Sequence, residues 1–282
     1  MIYLSSFTFP SMSTQEGFII SEKHTCYDTF YPFKVLDAGT LEFGPITILY
    51  GNNGSGKTTA LNVMAETLRL QRDSLYNRSN FFEEYTKRCD YNLFKTIPEG
   101  SSVITSDDVF DFMLTIRDIN STIDDKRTEL MEDYTSTRYS TFKFRTMDDY
   151  RELKKVNLAR KTSKSQYVRN GIMDNVHEHS NGESAFKYFI NRIGENGLFL
   201  LDEPENSLSP NKQLELIKHI EDSARFFGCQ FIIATHSPFL LSINEAKIYD
   251  FDVQPPLIKK WTDLENVRTY YNFFKKHEKN FK

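Results

Sequence analysis

Between Gly51 and Asn62 the chain reads GNNGSGKTTALN, in which Gly51, Gly56, Lys57 and Thr58 satisfy the spacing G-x-x-x-x-G-K-[ST]. Each residue type there answers a need of a bound phosphate chain. Glycines let backbone N–H groups turn inward around the oxygens, a helix opening near Lys57 adds its positive end, and the lysine reaches the β and γ phosphates. On this reading Asn52, Asn53, Gly54, Ser55, Gly56, Lys57, Thr58 and Thr59 cradle a nucleoside triphosphate, and the Thr58 hydroxyl joins the shell of Mg2+. Farther on, NGLFLLDEPENSLSP delivers Asp202 after four apolar residues, where an aspartate holds the same ion. Glu203 follows at once and is the candidate general base or water-positioning group for hydrolysis. His236, in QFIIATHSPFLL, ends another apolar run and would contact the γ phosphate.

These groups act together only if strands carry them to one place. ITILY before the glycine loop, LFLL before Asp202 and QFIIAT before His236 read as strands, and TTALNVMAETLRL, with Leu61, Met64, Ala65 and Leu68 at helical spacing, reads as a helix. Between LFLL and QFIIAT, Pro210 suits a first helical turn and Gly228 a helix stop, giving a strand-helix-strand unit with a parallel pair. A right-handed crossover puts the carboxyl ends of such strands on one sheet edge, where these folds bind ligands. Upstream, YLSSFTF, GFIIS and LEFGPITILYG are also expected as strands.

From about residue 71 to 179 the character changes to long polar helical segments, with Val109, Phe112, Met113 and Ile116 on one face. The expected division is a nucleotide-binding core from 1–70 and 180–282, interrupted by a helical lobe over 71–179. The lobe separates its charge: Asp107 to Asp133 holds nine acidic and three basic residues, Lys143 to Lys164 eight basic and three acidic. Such blocks are solvated helix faces that can pair with each other, or, for the basic one, a surface for nucleic acid or a partner.

A chain of 282 residues with a net charge of -4 has no all-over basic surface, so nucleic acid would meet a local patch. Cys26, Cys89 and Cys229 form no C-x-x-C pair, which argues against a disulfide framework or a zinc site. The lack of an apolar run long enough to cross a bilayer, and of a basic n-region at the start, leads to the expectation of a cytoplasmic protein without membrane insertion.

Taken in order, GNNGSGKTT, HSNGES, LFLLDEPENSLSP and FIIATHSP resemble the ATP-binding-cassette class of ATPases, and within it the short stand-alone AAA-family ATPases related to SMC and RecF heads. The resemblance covers most of the chain outside 71–165. It implies an α/β P-loop NTPase of the ABC-ATPase type, a mixed or parallel sheet with an inserted helical lobe, and ATP with Mg2+ as cofactors. It also implies an ATP-dependent homodimer in which Ser180 and Gly182 of one copy touch the γ phosphate held by the other, with Ser207 to Ser209 crossing between copies. The signature reads SNGES rather than LSGGQ, and neither Gln71 nor Gln166 suits the glutamine that senses a membrane partner in transporters. Tyr27, Phe30 and Tyr31 are candidates for stacking on adenine or, equally, for core packing.

The function expected is an ATP hydrolase that couples turnover to DNA or to a nuclease or other effector protein, in repair or anti-phage defence. Two alternatives are the energy subunit of a membrane transporter, which co-purification with a membrane protein would favour, and a nucleotide-dependent switch with little turnover. The intact Glu203 speaks against the switch.

Overall fold

The computed structural model describes residues 1–21, 38–74, 82–172 and 181–281. Contacts divide the chain into two units, Met1–Asp111 with Asn181–Lys282, and Phe112–Ser180. In chain order the elements are β1 (Leu4–Thr8), α1 (Met12–Ser21), β2 (Thr40–Glu42), β3 (Ile46–Tyr50), α2 (Lys57–Leu68), α3 (Phe82–Thr86), β4 (Asp90–Leu93), β5 (Ser102–Thr105) and α4 (Ser106–Arg138). They continue with α5 (Tyr150–Lys161), α6 (Lys164–Gly171), α7 (Asn181–Arg192), β6 (Leu198–Asp202), α8 (Pro210–Phe226), β7 (Gln230–Thr235), α9 (Pro238–Leu241), β8 (Lys247–Asp250), β9 (Leu257–Ile258) and α10 (Glu265–Lys276).

In the first unit, β3 and β7 are buried at every position and β6 at all but Asp202, the pattern of strands covered on both faces in a parallel sheet. Among the described residues six strands form this sheet in the order β5-β6-β7-β3-β8-β9. All neighbours pair in parallel except β9, which turns back against β8. The register sets Tyr50 opposite both Thr235 and Asp250, and Asp202 opposite both Ala234 and Thr105. The carboxyl ends of β5, β6, β7, β3 and β8 therefore finish level at one edge. On α2, Leu61, Met64 and Ala65 are buried, and they share a core with Leu49, Leu200 and Ile232. Pro210 sits in the first turn of α8, and Gly228, just past its end, takes φ +68°.

A second, antiparallel sheet has the order β2-β1-β4. Side chains join it to the first: the Tyr249 hydroxyl on β8 bonds the main chain of Glu42 on β2, and Gln230 makes the most extensive junction. Gln230, fully buried at the start of β7, accepts from the N–H groups of Tyr3 (2.8 Å) and Leu4 (2.9 Å) through Oε1. Its Nε2 donates to the carbonyls of Leu4 (2.8 Å) and Gly44 (3.0 Å).

Two expectations change. GFIIS does not form a strand: it completes α1, which the Ser11 hydroxyl starts by accepting from the Thr14 N–H (3.3 Å). An apolar run without alternation does not choose between helix and strand, and the cap decides. Residues 71–111, expected in the helical lobe, group with the first unit, because β4 and β5 add strands to the two sheets.

The second unit has its own small core of Tyr134, Ala159 and Tyr167, against which Leu130 packs. Here the acidic and basic blocks meet: Asp133 accepts from Lys155 Nζ (2.6 Å) and from the Tyr167 hydroxyl (2.8 Å). Among the described residues no helix is long and apolar enough to cross a membrane.

Replacing Gln230 by leucine strands the buried main-chain groups of Tyr3 and Leu4 without partners. At roughly 1–3 kcal/mol for each unsatisfied group, Gln230→Leu is expected to destabilise the protein by about 3 kcal/mol or more, read as a lower denaturant midpoint.

Candidate active site

The loop after β3 has a shape that only its glycines allow. A Cβ on Gly51 would lie 2.4 Å from Ser55 Oγ and 2.9 Å from Ser55 Cβ. Gly56, at the N-terminus of α2, takes φ +96°, a left-handed conformation that glycine adopts without strain. Lys57 opens α2 and is 4 % exposed, folded back so that Nζ donates to the carbonyls of Gly51 (2.6 Å) and Asn52 (3.1 Å). Asn52 donates its N–H (2.7 Å) and side-chain amide (3.0 Å) to the Asp252 carboxylate. Asn53, Gly54 and Thr58 are exposed, Thr59 is half-buried, and the buried Ser55 Oγ has no partner among the described residues. A cradle that excludes a Cβ, holds an orphan hydroxyl and ends at a helix N-terminus fits a phosphate chain.

Thr58 reaches across to β6, donating its hydroxyl to Asp202 Oδ1 (2.9 Å). Burial pushes the Asp202 carboxyl up to about 6; the Thr58 bond opposes this, Glu203 adds to it, Lys57 opposes it and Glu205 adds to it. A half-buried carboxylate beside a hydroxyl offers oxygen donors of the kind a hard divalent cation such as Mg2+ takes.

Glu203 stands in the left-handed region, φ +46° and ψ +52°, the kind of strain that collects at functional sites. Its N–H donates to the Ala234 carbonyl (2.9 Å), tying it to β7, and its Oε2 accepts from Asn206 Nδ2 (2.9 Å). The other oxygen, Oε1, lies 3.7 Å from His236 Nδ1. His236 follows β7 directly, so the ends of β3, β6 and β7 bring Lys57, Thr58, Asp202, Glu203 and His236 to one edge.

Gly182 lies in the first turn of α7 in a different setting. A Cβ there would be 3.8 Å from the Ser207 carbonyl and 4.0 Å from the Ser209 N–H, with no residue of the glycine loop within 4 Å. Ser180 and the aromatic candidates Tyr27, Phe30 and Tyr31 lie outside the described residues. Gln71 bridges to Ser102, at the end of β5 away from the Asp202 edge.

Sequence reading passed over Glu205 and Asp252. Glu205, 7 % exposed, accepts from Thr235 Oγ1 (2.6 Å), His236 N–H (2.9 Å) and Ser237 N–H (3.1 Å), all on Oε1. The signal available was a further acid in DEPE, which in isolation reads as a helix-start residue. Asp252 lies two residues beyond β8, which reads KIYD and lacks the uninterrupted apolar run that precedes Asp202.

A family model described as ABC transporter matches residues 38–206, from the approach to the glycine loop through the acidic strand end. The chain belongs to the ABC-type ATPase family. A second model, described as an AAA domain, matches residues 182–242 of this ABC-type chain. No curated protein matches the sequence. Among solved structures, an ATP-binding cassette of an ABC transporter, MJ1267 in its ADP conformation, is 15 % identical over 96 % of this chain and 99 % of its own, TM-score 0.45. An Smc head domain with an extended coiled coil, bound to the C-terminal domain of ScpA derived from Pyrococcus furiosus, is 12 % identical over 99 % and 100 %, TM-score 0.44. The SMC head domain from Thermotoga maritima is 12 % identical over 88 % and 94 %, TM-score 0.41. Identities and scores this low add nothing to the family assignment.

The raised Asp202 carboxyl fixes the sign of a pH effect. Its folded pKa, about 6, exceeds the unfolded value near 3.9, so the folded ABC-type chain binds more protons between those limits. Ionised Asp202 therefore costs stability above about pH 6, and the cost disappears as the pH falls toward 4. Without nucleotide or Mg2+, Asp202→Asn is expected to melt above the wild type at pH 8, with the gap closing toward pH 4 in a thermal-unfolding series.

Proposed function

We propose that the protein hydrolyses ATP, with Mg2+, at the edge where β3, β6 and β7 end. The observation that carries this reading is the meeting of Glu203 and His236 (3.7 Å) beside the Thr58–Asp202 pair (2.9 Å), four groups from three separate strand ends. The triphosphate lies in the loop of Asn52 to Thr59, where Lys57 exchanges the Gly51 and Asn52 carbonyls for phosphate oxygens. Thr58 and Asp202 would hold Mg2+, which when bound offsets phosphate charge. Glu203 orients a water and accepts its proton as the water oxygen bonds to the γ phosphorus and the bond to the bridging oxygen of ADP breaks. His236 contacts the γ phosphate, giving the site a group that differs in its surroundings before and after cleavage.

The placement of Gly182 against Ser207 and Ser209, rather than against its own glycine loop, supports a site completed by a second copy. In that arrangement Ser180 and Gly182 of one copy face the γ phosphate of the other. ATP then stabilises the closed pair because only that form gains both sets of contacts, and cleavage releases it. The load on this cycle is proposed to be DNA or an effector protein. Lys143, Arg145, Arg151, Lys154, Arg160, Lys161 and Lys164 are exposed and offer a local basic surface for DNA.

Glu203→Gln keeps the hydrogen-bonding shape and removes the base. It is expected to lower steady-state ATP turnover by about 100-fold or more and to accumulate a species of twice the monomer mass with ATP and Mg2+, seen by light scattering. A Glu203→Gln protein that turns over ATP normally, or keeps one mass with and without ATP, overturns the respective half of the proposal.

A further inference from the structure

Resting on the hydrolytic reading above, we infer that Glu205 is the positioning residue for His236: its buried carboxylate holds the main chain of the turn that carries the imidazole. Three donors converge on one oxygen, Oε1: the Thr235 hydroxyl at 2.6 Å and the N–H groups of His236 at 2.9 Å and Ser237 at 3.1 Å. Those residues are the last of β7 and the first two beyond it, so Glu205 satisfies N–H groups that the sheet no longer pairs.

The turn is held from other sides as well. The Ser237 hydroxyl donates to Gln213 Oε1 (2.6 Å), Gln213 Nε2 donates to the Leu208 carbonyl (3.0 Å), and Asn266 Nδ2 donates to the His236 carbonyl (2.5 Å). Asn266 also places its N–H 3.3 Å from the hydroxyl of Tyr50, the residue before the glycine loop. The main chain at His236 is thus pinned at both its N–H and its carbonyl, while the ring makes no hydrogen bond among the described residues through Nδ1. Nδ1 is buried, 3.4 Å from Glu205 Oε1 and 3.7 Å from Glu203 Oε1. With 42 % of the side chain exposed and Nδ1 buried, the exposure belongs to the rest of the side chain. Glu205 therefore acts on His236 through its main chain and the wall behind Nδ1 rather than by touching a reacting atom.

A chain position two residues after Glu203 is well placed for this. The 3-10 turn Pro204–Ser207 swings Glu205 under the end of β7 while Glu203 stays at the sheet edge, so one short segment sets both the water-directing carboxylate and the histidine opposite it. The same segment runs on into Ser207 to Ser209. A shift of that segment when two copies close reaches His236 through Glu205 and through the Gln213–Ser237 bond.

The test compares Glu205→Ala, Glu205→Asp, Glu205→Gln, His236→Ala and the double variant Glu205→Ala/His236→Ala. It measures kcat and KM for ATP, together with long-range 1H–15N spectra of the imidazole nitrogens, assigned by the signals lost in His236→Ala. Glu205→Ala is expected to lower kcat by the same factor as His236→Ala, about 100-fold, with KM changed less than about threefold, and the double variant to lose no more than either. Glu205→Gln, whose amide oxygen can accept the same three bonds, is expected to stay within about fivefold of wild-type kcat. Glu205→Asp, whose oxygen falls short, should drop well below it. The His236 imidazole signals should move in Glu205→Ala and Glu205→Asp, and little in Glu205→Gln.

Losses that multiply in the double variant, full kcat in Glu205→Ala or Glu205→Asp, or imidazole signals unmoved by both would overturn the assignment. Should Glu205→Ala not fold, Glu205→Asp against Glu205→Gln decides it. A wild-type protein without ATP turnover, whose nucleotide retention Lys57→Ala leaves unchanged, would sink the hydrolytic reading. The imidazole spectra would still decide whether Glu205 positions His236.

Discussion

Level parallel pairing of β6, β7 and β3 is the constraint on which the site depends. A slip of one residue between β6 and β7 would move Asp202 by about 3.3 Å and turn it to the other face of the sheet. Burial on both faces removes the alternation that usually fixes register. Here polar groups bracket the apolar runs instead. Gln230 anchors the start of β7 to Tyr3 and Leu4, and at the other end Thr235 meets Glu205 while Asp202 meets Thr58. Apolar runs of fixed length, clamped between polar partners at both ends, favour the one alignment in which Gln230, Thr235 and Asp202 all meet theirs.

That alignment concentrates negative charge. Asp202, Glu203 and Glu205 crowd the edge, and Lys57 answers them only from within its own loop, bonded to two carbonyls. The left-handed backbone at Glu203 adds conformational strain at the same place. Both costs fall where a cation and a phosphate chain would offset the crowded charge. Stability is supplied elsewhere, by the core shared among α2 and the central strands and by the Gln230 junction.

What could be read from the sequence was whatever is local or strongly patterned. Lys57, Asp202 and His236 were legible because each follows or opens an element with a clear apolar signature. The helix over Leu61, Met64 and Ala65 was legible from spacing, and the crossover from Pro210 and Gly228. The failures share a cause. β4 reads DYNL and is exposed throughout, and β5 reads SVIT, so neither announces itself, and both exist because distant partners supply hydrogen bonds. GFIIS could serve either state until Ser11 capped it. Glu205 and Asn266 were invisible because their value lies in what stands across from them, and in one dimension a glutamate after proline or an asparagine at a helix start carries no such information.

The self-bonded lysine has a further implication for the kinetics of the loop. Because the Gly51 and Asn52 carbonyls already accept from Lys57, an incoming nucleotide must compete for an amine that has somewhere else to go. In reverse, those carbonyls can recapture the ammonium as the spent nucleotide departs, so neither direction passes through a bare buried charge. Such a swap keeps the amine partnered throughout and subtracts the energy of those two bonds from whatever a phosphate oxygen gains.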